Sequence, residues 1–290
     1  YAVSDYELLY YEEGVTTTVT VARAMGDDNI WLANNGKIDA STTVDLPTQV
    51  LLGHFGQVFA KSPEHVLVVG LASGISAGSA AVYTEGQVDV LEIEPAVVTA
   101  SHFFDHVNNR PLAQPHVRMV VNDARNHIFL ASDPYDIVIN QPSNPWISGV
   151  SNLYTRDYFE LCKEHMTDDG VFVQWMQLYG MGQSDLRCIL RTLHSVFPHV
   201  ILFSSIEEAD IIMVASAEPL EFDLEHIESL LGTPGPREDL HRIGIHTPED
   251  LITYYLMDEI DIEDVAGEGP LNTDDNMIIE FSAPRYLHYV

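Results

Sequence analysis

Along the first part of this chain, apolar and polar residues alternate with a period of two. β-Branched and apolar side chains recur at every second position over 15–23, and an apolar run follows at 30–33. Both patterns are typical of strands, and the N-N-G sequence at 34–36 predicts a hairpin turn. Residues 48–55 instead space their apolar side chains as a helix does. We therefore predict an N-terminal domain of strands and hairpins over residues 1–60.

From residue 66 the pattern changes to apolar runs that alternate with helix-compatible segments. Five runs are long enough for buried strands: 66–70, 87–92, 117–121, 136–140 and 170–175. Strands separated by helices form a parallel, doubly wound sheet. Two later runs, 199–203 and 210–215, have no helix between them and predict an antiparallel hairpin. The second predicted domain is therefore an α/β domain over residues 61–290.

The last 70 residues are predicted to extend this second domain. Residues 221–231 and 248–256 have helical spacing. Residues 277–282, M-I-I-E-F-S, are predicted as a final strand because they are rich in apolar residues.

Charge limits the classes of partner. The 290 residues include 44 Asp and Glu but only 13 Lys and Arg, which gives a formal net charge of −31. Such a surface repels nucleic acid and anionic lipid, so we expect no nucleic-acid partner. A solvated acidic coat explains this composition, and attraction of cationic ligands such as polyamines is the alternative.

The location of the protein is inferred from its apolar runs and its cysteines. No apolar run approaches the roughly 20 residues that cross a bilayer, and the two cysteines, Cys162 and Cys188, form no C-x-x-C motif. We interpret them as packed thiols of a cytoplasmic protein. Because the chain begins at Tyr1, the expectation includes the cytoplasmic domain of a membrane protein with its membrane-spanning region upstream.

Three candidate binding positions follow successive predicted strands. The first is a loop of small residues that contains Gly70, Ser73 and Gly74. Such a loop lets backbone approach a ligand at a helix N-terminus, although a tight turn without a ligand explains it equally well. The second strand ends at Glu92, where an acid accepts both ribose hydroxyls. The third leads to Asp123, which is placed to accept from an exocyclic amine. Together they predict a nucleoside pocket.

Two further features were weighed for ligand or metal binding. Trp146 and Trp175 follow the fourth and fifth strands and face a cation or sulfonium, or else pack in the core. His102 and His106 have the spacing of a metal-binding pair on a helix, but no third ligand is evident, so we predict no metal.

A set of short motifs runs in a fixed order along nearly the whole chain: Y-Y-E-E-G (10–14), N-G-K-I-D-A-S (35–41), T-Q-V-L-L-G-H (48–54), V-L-V-V-G-L-A-S-G (66–74), L-E-I-E-P (91–95), N-D-A-R (122–125), P-S-N-P-W (142–146), L-Y-T-R-D-Y-F (153–159) and Q-W-M-Q-L-Y (174–179). This order resembles the spermidine/spermine synthase family. It is most similar to the branch that is fused to membrane-spanning segments, whose tail resembles residues 271–285.

The resemblance implies a fold and an activity. The fold is a small N-terminal β-domain on a class I S-adenosylmethionine-type doubly wound sheet, assembled as a homodimer or larger. The activity is aminopropyl transfer from decarboxylated S-adenosylmethionine to an amine acceptor such as putrescine, with release of methylthioadenosine.

The resemblance also assigns residues to the nucleoside site. Glu92 matches the family's ribose-binding acid, and Asp123 matches its adenine-binding acid. Gly70 and Gly74 belong to the glycine loop. Gln49 and His54 match positions near the nucleoside and the aminopropyl group.

The chain departs from the family where the amines are handled. Ser73 stands where the family has an acid that holds the donor's amine, and Gln141 and Asn144 replace both acids of the loop usually read as D-S-S-D-P. The first of those acids accepts from the attacking amine, and a glutamine forms a hydrogen bond there but takes no proton. We predict Gln141 and Asn144 at the catalytic positions, with nucleoside recognition retained and amine chemistry weakened.

Three functions are therefore compared. The first is aminopropyl transfer. The second is another reaction of S-adenosylmethionine, a methyl or aminocarboxypropyl transfer or a lyase reaction; Ser73 suits this donor, because an acid there would repel the donor's carboxylate. The third is a non-catalytic sensor of a nucleoside or polyamine.

Overall fold

A four-stranded sheet precedes a larger sheet of eight strands. In this computed structural model, the residues described are 5–83, 86–147 and 149–287. The first four strands pair with their sequence neighbours as an antiparallel meander: β1 (Tyr6–Glu13), β2 (Thr18–Ala24), β3 (Ile30–Asn34) and β4 (Lys37–Ser41). Asn35 and Gly36 connect β3 to β4 with φ angles of 51° and 81°, as a two-residue hairpin turn requires. The predicted hairpin is therefore confirmed.

The larger sheet has a parallel centre and an antiparallel edge. Its strands are β5 (His65–Val69), β6 (Gln87–Glu92), β7 (Val117–Val121), β8 (Tyr135–Asn140), β9 (Met166–Gln177), β10 (His199–Ile206), β11 (Asp210–Ser216) and β12 (Tyr255–Met257). Five of them run parallel in the order β7-β6-β5-β8-β9, and β11, β10 and β12 continue the sheet antiparallel. This confirms both the doubly wound α/β fold and the closing hairpin.

Helices cover both faces of the larger sheet. They are α1 (Leu46–Phe59), α2 (Ile75–Ala81), α3 (Pro95–Ser101), α4 (Ala124–Phe129), α5 (Arg156–Glu164), α6 (Gln183–His194), α7 (Leu224–Gly232), α8 (Pro234–His241), α9 (Pro248–Ile252), α10 (Glu259–Ala266) and α11 (Ile278–Ser282). The two resulting cores are marked by stacked ring pairs, Phe55 with Phe203 and Phe172 with Phe197. Across the part of the chain that is described, no helix combines the length and apolarity needed to cross a membrane.

Helix α1 is buried between α2 and the larger sheet. The close contact depends on small residues. A Cβ atom on Gly53 of α1 would lie 2.6 Å from the carbonyl oxygen of Ser76 in α2. Elsewhere on α2, a Cβ atom on Gly78 would lie 1.7 Å from the carbonyl oxygen of Asn108, in the segment after α3. The small side chains of α2 therefore have a packing reason beside any role in binding. The predicted division after residue 60 groups α1 with the meander, and this packing is a reason to place the division before α1.

Two predictions near the C-terminus are wrong. Residues 277–282 were expected as a strand, but the chain forms α11 there, because Ile279 and Ala283 are four residues apart and both are fully buried in one core. The helix predicted over 248–256 ends at Ile252. The chain then extends the sheet as β12, where the Tyr254 carbonyl accepts from the backbone N–H of Ser204 at 2.8 Å.

Candidate active site

A cavity of about 830 Å³ opens at the carboxyl ends of the parallel strands. It is lined by the loops after β5 and β8, which are neighbours in the sheet although they are not consecutive in the chain. Chain connections leave in opposite directions at such a position, and doubly wound folds bind ligands there. The ends of β6 and β9, the loop after β7, the meander, the start of α1 and the turn between β10 and β11 also contribute to the described wall.

The loop after β5 meets the loop after β8 through backbone. Gly70 has a φ angle of 91°, and a Cβ atom there would lie 2.8 Å from the carbonyl oxygen of Gln141. A side chain at this position would therefore be strained and would push the two loops apart. Gly70 and Ala72 line the cavity. The glycine thus keeps the two strand ends together beneath the cavity.

Glu92 ends β6 beside this loop and lines the cavity. Its carboxylate accepts backbone N–H bonds from Leu71 at 3.0 Å, from Ile93 at 2.9 Å and from Glu94 at 3.0 Å. Burial raises the pKa of Glu92, although these N–H groups favour its charged form. The result is a fixed, partly buried acceptor at the end of β6.

Asp123 follows β7 and also lines the cavity. Its Oδ1 caps α4 by accepting from the backbone N–H of Asn126 at 2.8 Å. Two residues further on, the Arg125 guanidinium donates two hydrogen bonds, of 2.8 and 2.5 Å, to the carboxylate of Asp274 in the C-terminal segment. The Asp274 carboxylate also accepts from Thr155 at 2.7 Å, and Arg125 lowers its pKa. The loop after β7 is thus held from both sides.

Two of the three neutral residues that replace family acids form hydrogen bonds within the protein. The Ser73 hydroxyl donates to the side-chain oxygen of Gln49 in α1. Gln141 donates its Nε2 to the carbonyl oxygen of Gly70 at 2.7 Å. Gln49 and Gln141 line the cavity, whereas Ser73 lies just behind it, almost fully buried.

Three other predicted site residues do not line the cavity. Gly74 caps α2 with a left-handed conformation. His54 is fully buried and contacts Tyr83 and Asp239 at 2.6 and 2.8 Å. Asn144 is fully buried too, and both of its side-chain polar atoms lack a hydrogen-bond partner among the described residues. The structure therefore brings together Gly70, Gln49, Glu92, Asp123 and Gln141, with Ser73 directly behind them.

Sequence reasoning missed two further acids that line the cavity. Asp210, at the start of β11, and Asp45, just before α1, both line the cavity. Asp210 is only 6% exposed, and its Oδ2 accepts from the Thr48 hydroxyl at 3.1 Å. Burial raises the pKa of Asp210 to about 6, and the charge of Asp45 adds to this effect. The available signal was an aspartate at the start of an otherwise apolar strand.

The remaining charges leave the cavity acidic. Its two cationic side chains in the described lining are both paired: Lys37 with Asp39 at 2.7 Å, and Arg125 with Asp274. The Asp39 carboxylate also accepts from Asn34 and Ser143 at 2.8 and 3.0 Å, so it joins the meander to the loop after β8. Carboxylates without a matching cation favour a positively charged ligand.

Aromatic rings form another part of the wall. Trp146, Trp175 and Tyr179 all line the cavity, and Trp146 meets Tyr179 edge to face at 6.2 Å between ring centroids. Rings beside carboxylates are suited to a ligand that is both planar and cationic. Within the described ranges, no three His, Cys, Asp or Glu side chains are grouped as metal ligands.

Comparison with known proteins defines the family. The sequence model of the spermine/spermidine synthase domain matches residues 46–218, and the chain belongs to this family. Similar curated relatives are called polyamine aminopropyltransferases. One, from Oceanobacillus iheyensis, is 24% identical over 170 residues, and another, from Aeropyrum pernix, is 25% identical over 190 residues.

These matches cover only part of each relative. They span 57% of this chain and 33% of the Oceanobacillus protein, and 63% of this chain and 59% of the Aeropyrum protein. The chain thus spans less than two thirds of the length of these curated relatives.

Solved structures show the same fold over nearly the whole chain. Spermidine synthase from Thermotoga maritima has a TM-score of 0.64 at 13% identity and covers 98% of this chain and 88% of its own. A spermidine synthase in complex with the transition-state analogue AdoDATO has a TM-score of 0.63, with the same identity and coverage. At such identities the likeness concerns the fold.

Proposed function

We propose that this protein transfers an aminopropyl group from decarboxylated S-adenosylmethionine to a small amine such as putrescine and releases methylthioadenosine. The observation that carries the proposal is an acidic cavity at the sheet's carboxyl edge, with Glu92 and Asp123 at or just after the ends of adjacent strands and Asp45 and Asp210 also in its lining. The names of the relatives support this choice of reaction.

The nucleoside would be held by the first pair of acids. Glu92 is a fixed acceptor suited to two ribose hydroxyls, and Asp123 follows the neighbouring strand, within the span of one nucleoside. Gly70 and Ala72 have small side chains or none, so their backbone can approach the nucleoside closely. The sulfonium would then face the aromatic and acidic part of the wall.

The transfer consists of one displacement. The acceptor amine attacks the carbon next to the sulfonium sulfur, the carbon–sulfur bond breaks, and its electron pair remains on sulfur as a neutral thioether. Both substrates are cations, so a cavity with excess carboxylate concentrates them and stabilises their approach. The amine must first lose a proton, because only its neutral form carries the attacking lone pair.

One observation favours a second candidate, a reaction of S-adenosylmethionine itself. Ser73 is neutral and bonded to Gln49, so the loop has no acid to repel the carboxylate of this donor. Methyl or aminocarboxypropyl transfer and a lyase reaction are the alternatives in this class.

Calorimetry with both donors distinguishes the two classes. We expect the decarboxylated donor to bind more tightly, and chromatography to detect methylthioadenosine and spermidine after incubation with putrescine. Tighter binding and consumption of S-adenosylmethionine would assign the protein to the second class. Binding of a nucleoside or polyamine without any product from either donor would instead indicate a sensor.

Two consequences of the family resemblance remain predictions. We expect a homodimer or larger assembly, which sedimentation equilibrium would measure. We also expect a cytoplasmic location for this domain, with or without a membrane-spanning region upstream, which fractionation of cells that express the full gene would test.

A further inference from the structure

Asp210 is brought to the cavity by an irregular turn. The register between β10 and β11 shifts between Ser204 and Ile206, and Glu208 in the connecting turn has a φ angle of 59°. Asp210 begins β11 directly after this turn, at the cavity wall, where Ile206 and Ala209 also lie. Its side chain is nearly buried yet reaches the cavity.

Helix α1 connects Asp210 to the small-residue loop. The Thr48 hydroxyl lies 3.1 Å from Oδ2 of Asp210 and 2.8 Å from the Ser205 hydroxyl. The next residue, Gln49, accepts from Ser73 of the loop after β5. Two consecutive residues of α1 therefore contact Asp210 on one side and the small-residue loop on the other.

No cation pairs directly with Asp210 among the described residues. Of the charged groups that influence it, Asp45 raises its pKa more than Lys37 lowers it, and Lys37 forms its ion pair with Asp39 instead. Its hydrogen-bond partners are the neutral side chains of Thr48 and Trp175. A nearly buried carboxylate without a counter-ion, on the wall of a cavity, is suited to receive a cationic ligand.

We propose that Asp210 holds the attacking ammonium group of the acceptor and takes its proton, in place of the acid that Gln141 replaces. This inference depends on the aminopropyl transfer proposed above. The Thr48 hydroxyl positions the carboxylate, and Asp45 is near enough to favour an acceptor with more than one positive charge.

The protons and electrons balance in this scheme. The acceptor ammonium gives one proton to the Asp210 carboxylate and becomes a neutral amine. The amine lone pair forms the new carbon–nitrogen bond as the carbon–sulfur bond breaks, which leaves a secondary ammonium and a neutral thioether. Asp210 then returns its proton to solvent, so the net release is one proton for each transfer.

The main test compares Asp210→Asn with Asp168→Asn, a control that removes the same charge from an exposed position near the start of β9, outside the cavity. For Asp210→Asn we expect kcat/KM for putrescine to fall by at least about 100-fold, with unchanged affinity for methylthioadenosine. Asp168→Asn should match the wild type in both measurements.

The pH profile gives a readout that a structural role would not change. In the wild type, kcat/KM should fall below about pH 6 as Asp210 becomes protonated. Asp210→Asn should lose this acidic limb, and Thr48→Val should shift it towards higher pH, because the hydroxyl favours the charged carboxylate. A limb that persists in Asp210→Asn would contradict the proposal.

Gln141→Asp distinguishes this proposal from a simple loss of the family's acid. We expect no gain in rate, because a carboxylate would lose the hydrogen bond to Gly70 and face its carbonyl oxygen. A faster Gln141→Asp together with a fully active Asp210→Asn would overturn the role of Asp210.

Binding measurements separate this proposal from the proposed function. If the wild type binds putrescine in the presence of methylthioadenosine but forms no product, the proposed transfer fails. The role of Asp210 is still tested by the affinity for putrescine, which should be at least tenfold lower in Asp210→Asn than in the wild type. Equal putrescine affinity in wild type and variant, or no binding by either, would overturn it.

Discussion

Glu92 combines two tasks in one carboxylate. Its oxygens order the loop after β5 through the N–H of Leu71, and they face the cavity where ribose hydroxyls would donate. Replacing such a buried acceptor leaves ligand donors unpaired, which costs about 1.5–3 kcal/mol. We expect Glu92→Ala to weaken methylthioadenosine binding at least tenfold in calorimetry. Glu64→Ala, at an exposed position outside the cavity, serves as the control, and unchanged binding by a folded Glu92→Ala would remove Glu92 from the site.

Asp210 should reduce the stability of the unliganded protein at neutral pH. Its pKa is raised to about 6 by burial, above the roughly 3.9 of an unfolded aspartate. The stability it contributes is present below about pH 4 and is lost as pH rises through 6. A difference near two units corresponds to about 3 kcal/mol, so Asp210→Asn should unfold at higher urea concentration at pH 7. Equal stability of wild type and variant at pH 4 and pH 7 would refute this.

The site residues that sequence reasoning found and missed differ in a physical way. Glu92 and Asp123 follow parallel strands, and the carboxyl ends of such strands always meet at one edge of the sheet. Asp210 comes close to Thr48 only through tertiary folding, across 162 residues, so its position before an apolar strand does not by itself place it in the site. Gln49 and His54 are five residues apart on α1, which places them about 140° apart around the helix. Gln49 therefore lines the cavity, whereas His54 points away from it into the interior.

Helix α8 is held to the rest of the fold through Asp239. This nearly buried carboxylate accepts from His54 of α1 at 2.8 Å and from Asn109, and it forms an ion pair with Arg242 at 2.8 Å. Despite burial, the pKa of Asp239 is lowered to about 2 by these partners, His54 first. Removing one member of a buried pair costs about 3–5 kcal/mol, so Asp239→Asn should lower the free energy of unfolding by that order in urea titration.

The exposed neighbour Glu238 provides the control for this prediction, because Glu238→Gln removes the same charge from the same helix. The pH dependence gives a second check. A lowered pKa means that the stability from Asp239 is present above about pH 4 and is lost as pH falls towards 2. Asp239→Asn should not show that loss, and a variant as acid-sensitive as the wild type would contradict the assignment.

Secondary structure was predictable where the hydrophobic pattern has one interpretation. The parallel strands are short apolar runs between helices, and their positions follow from periodicity. Over 277–282 the same kind of apolar run forms α11. The helical spacing lies between Ile279 and Ala283, the two residues buried in the core, and Ala283 falls outside the run that was interpreted as a strand. The extension of the sheet by β12 depends on its pairing with β10, which is not encoded in its own three residues.

The charge of the whole molecule should make its stability depend on salt. With 44 acids against 13 fixed bases, self-repulsion opposes the compact state. The Debye length falls from about 30 Å at 0.01 M to about 3 Å at 1 M salt, so added salt screens this repulsion. We expect the melting temperature to rise over that range of sodium chloride. A flat or falling curve would show that the acids are too dispersed or too well paired to matter.

The contact between Arg125 and Asp274 has a consequence for how variants of this protein are interpreted. The described cavity wall contains no residue after Asp210. Asp274 nevertheless holds the loop that carries Asp123, through its contact with Arg125. Asn272 of the same segment is buried and forms hydrogen bonds with Tyr154 and Arg156. A substitution or truncation in this C-terminal segment would register in a screen as a defect in nucleoside affinity, although the altered residue never meets the nucleoside.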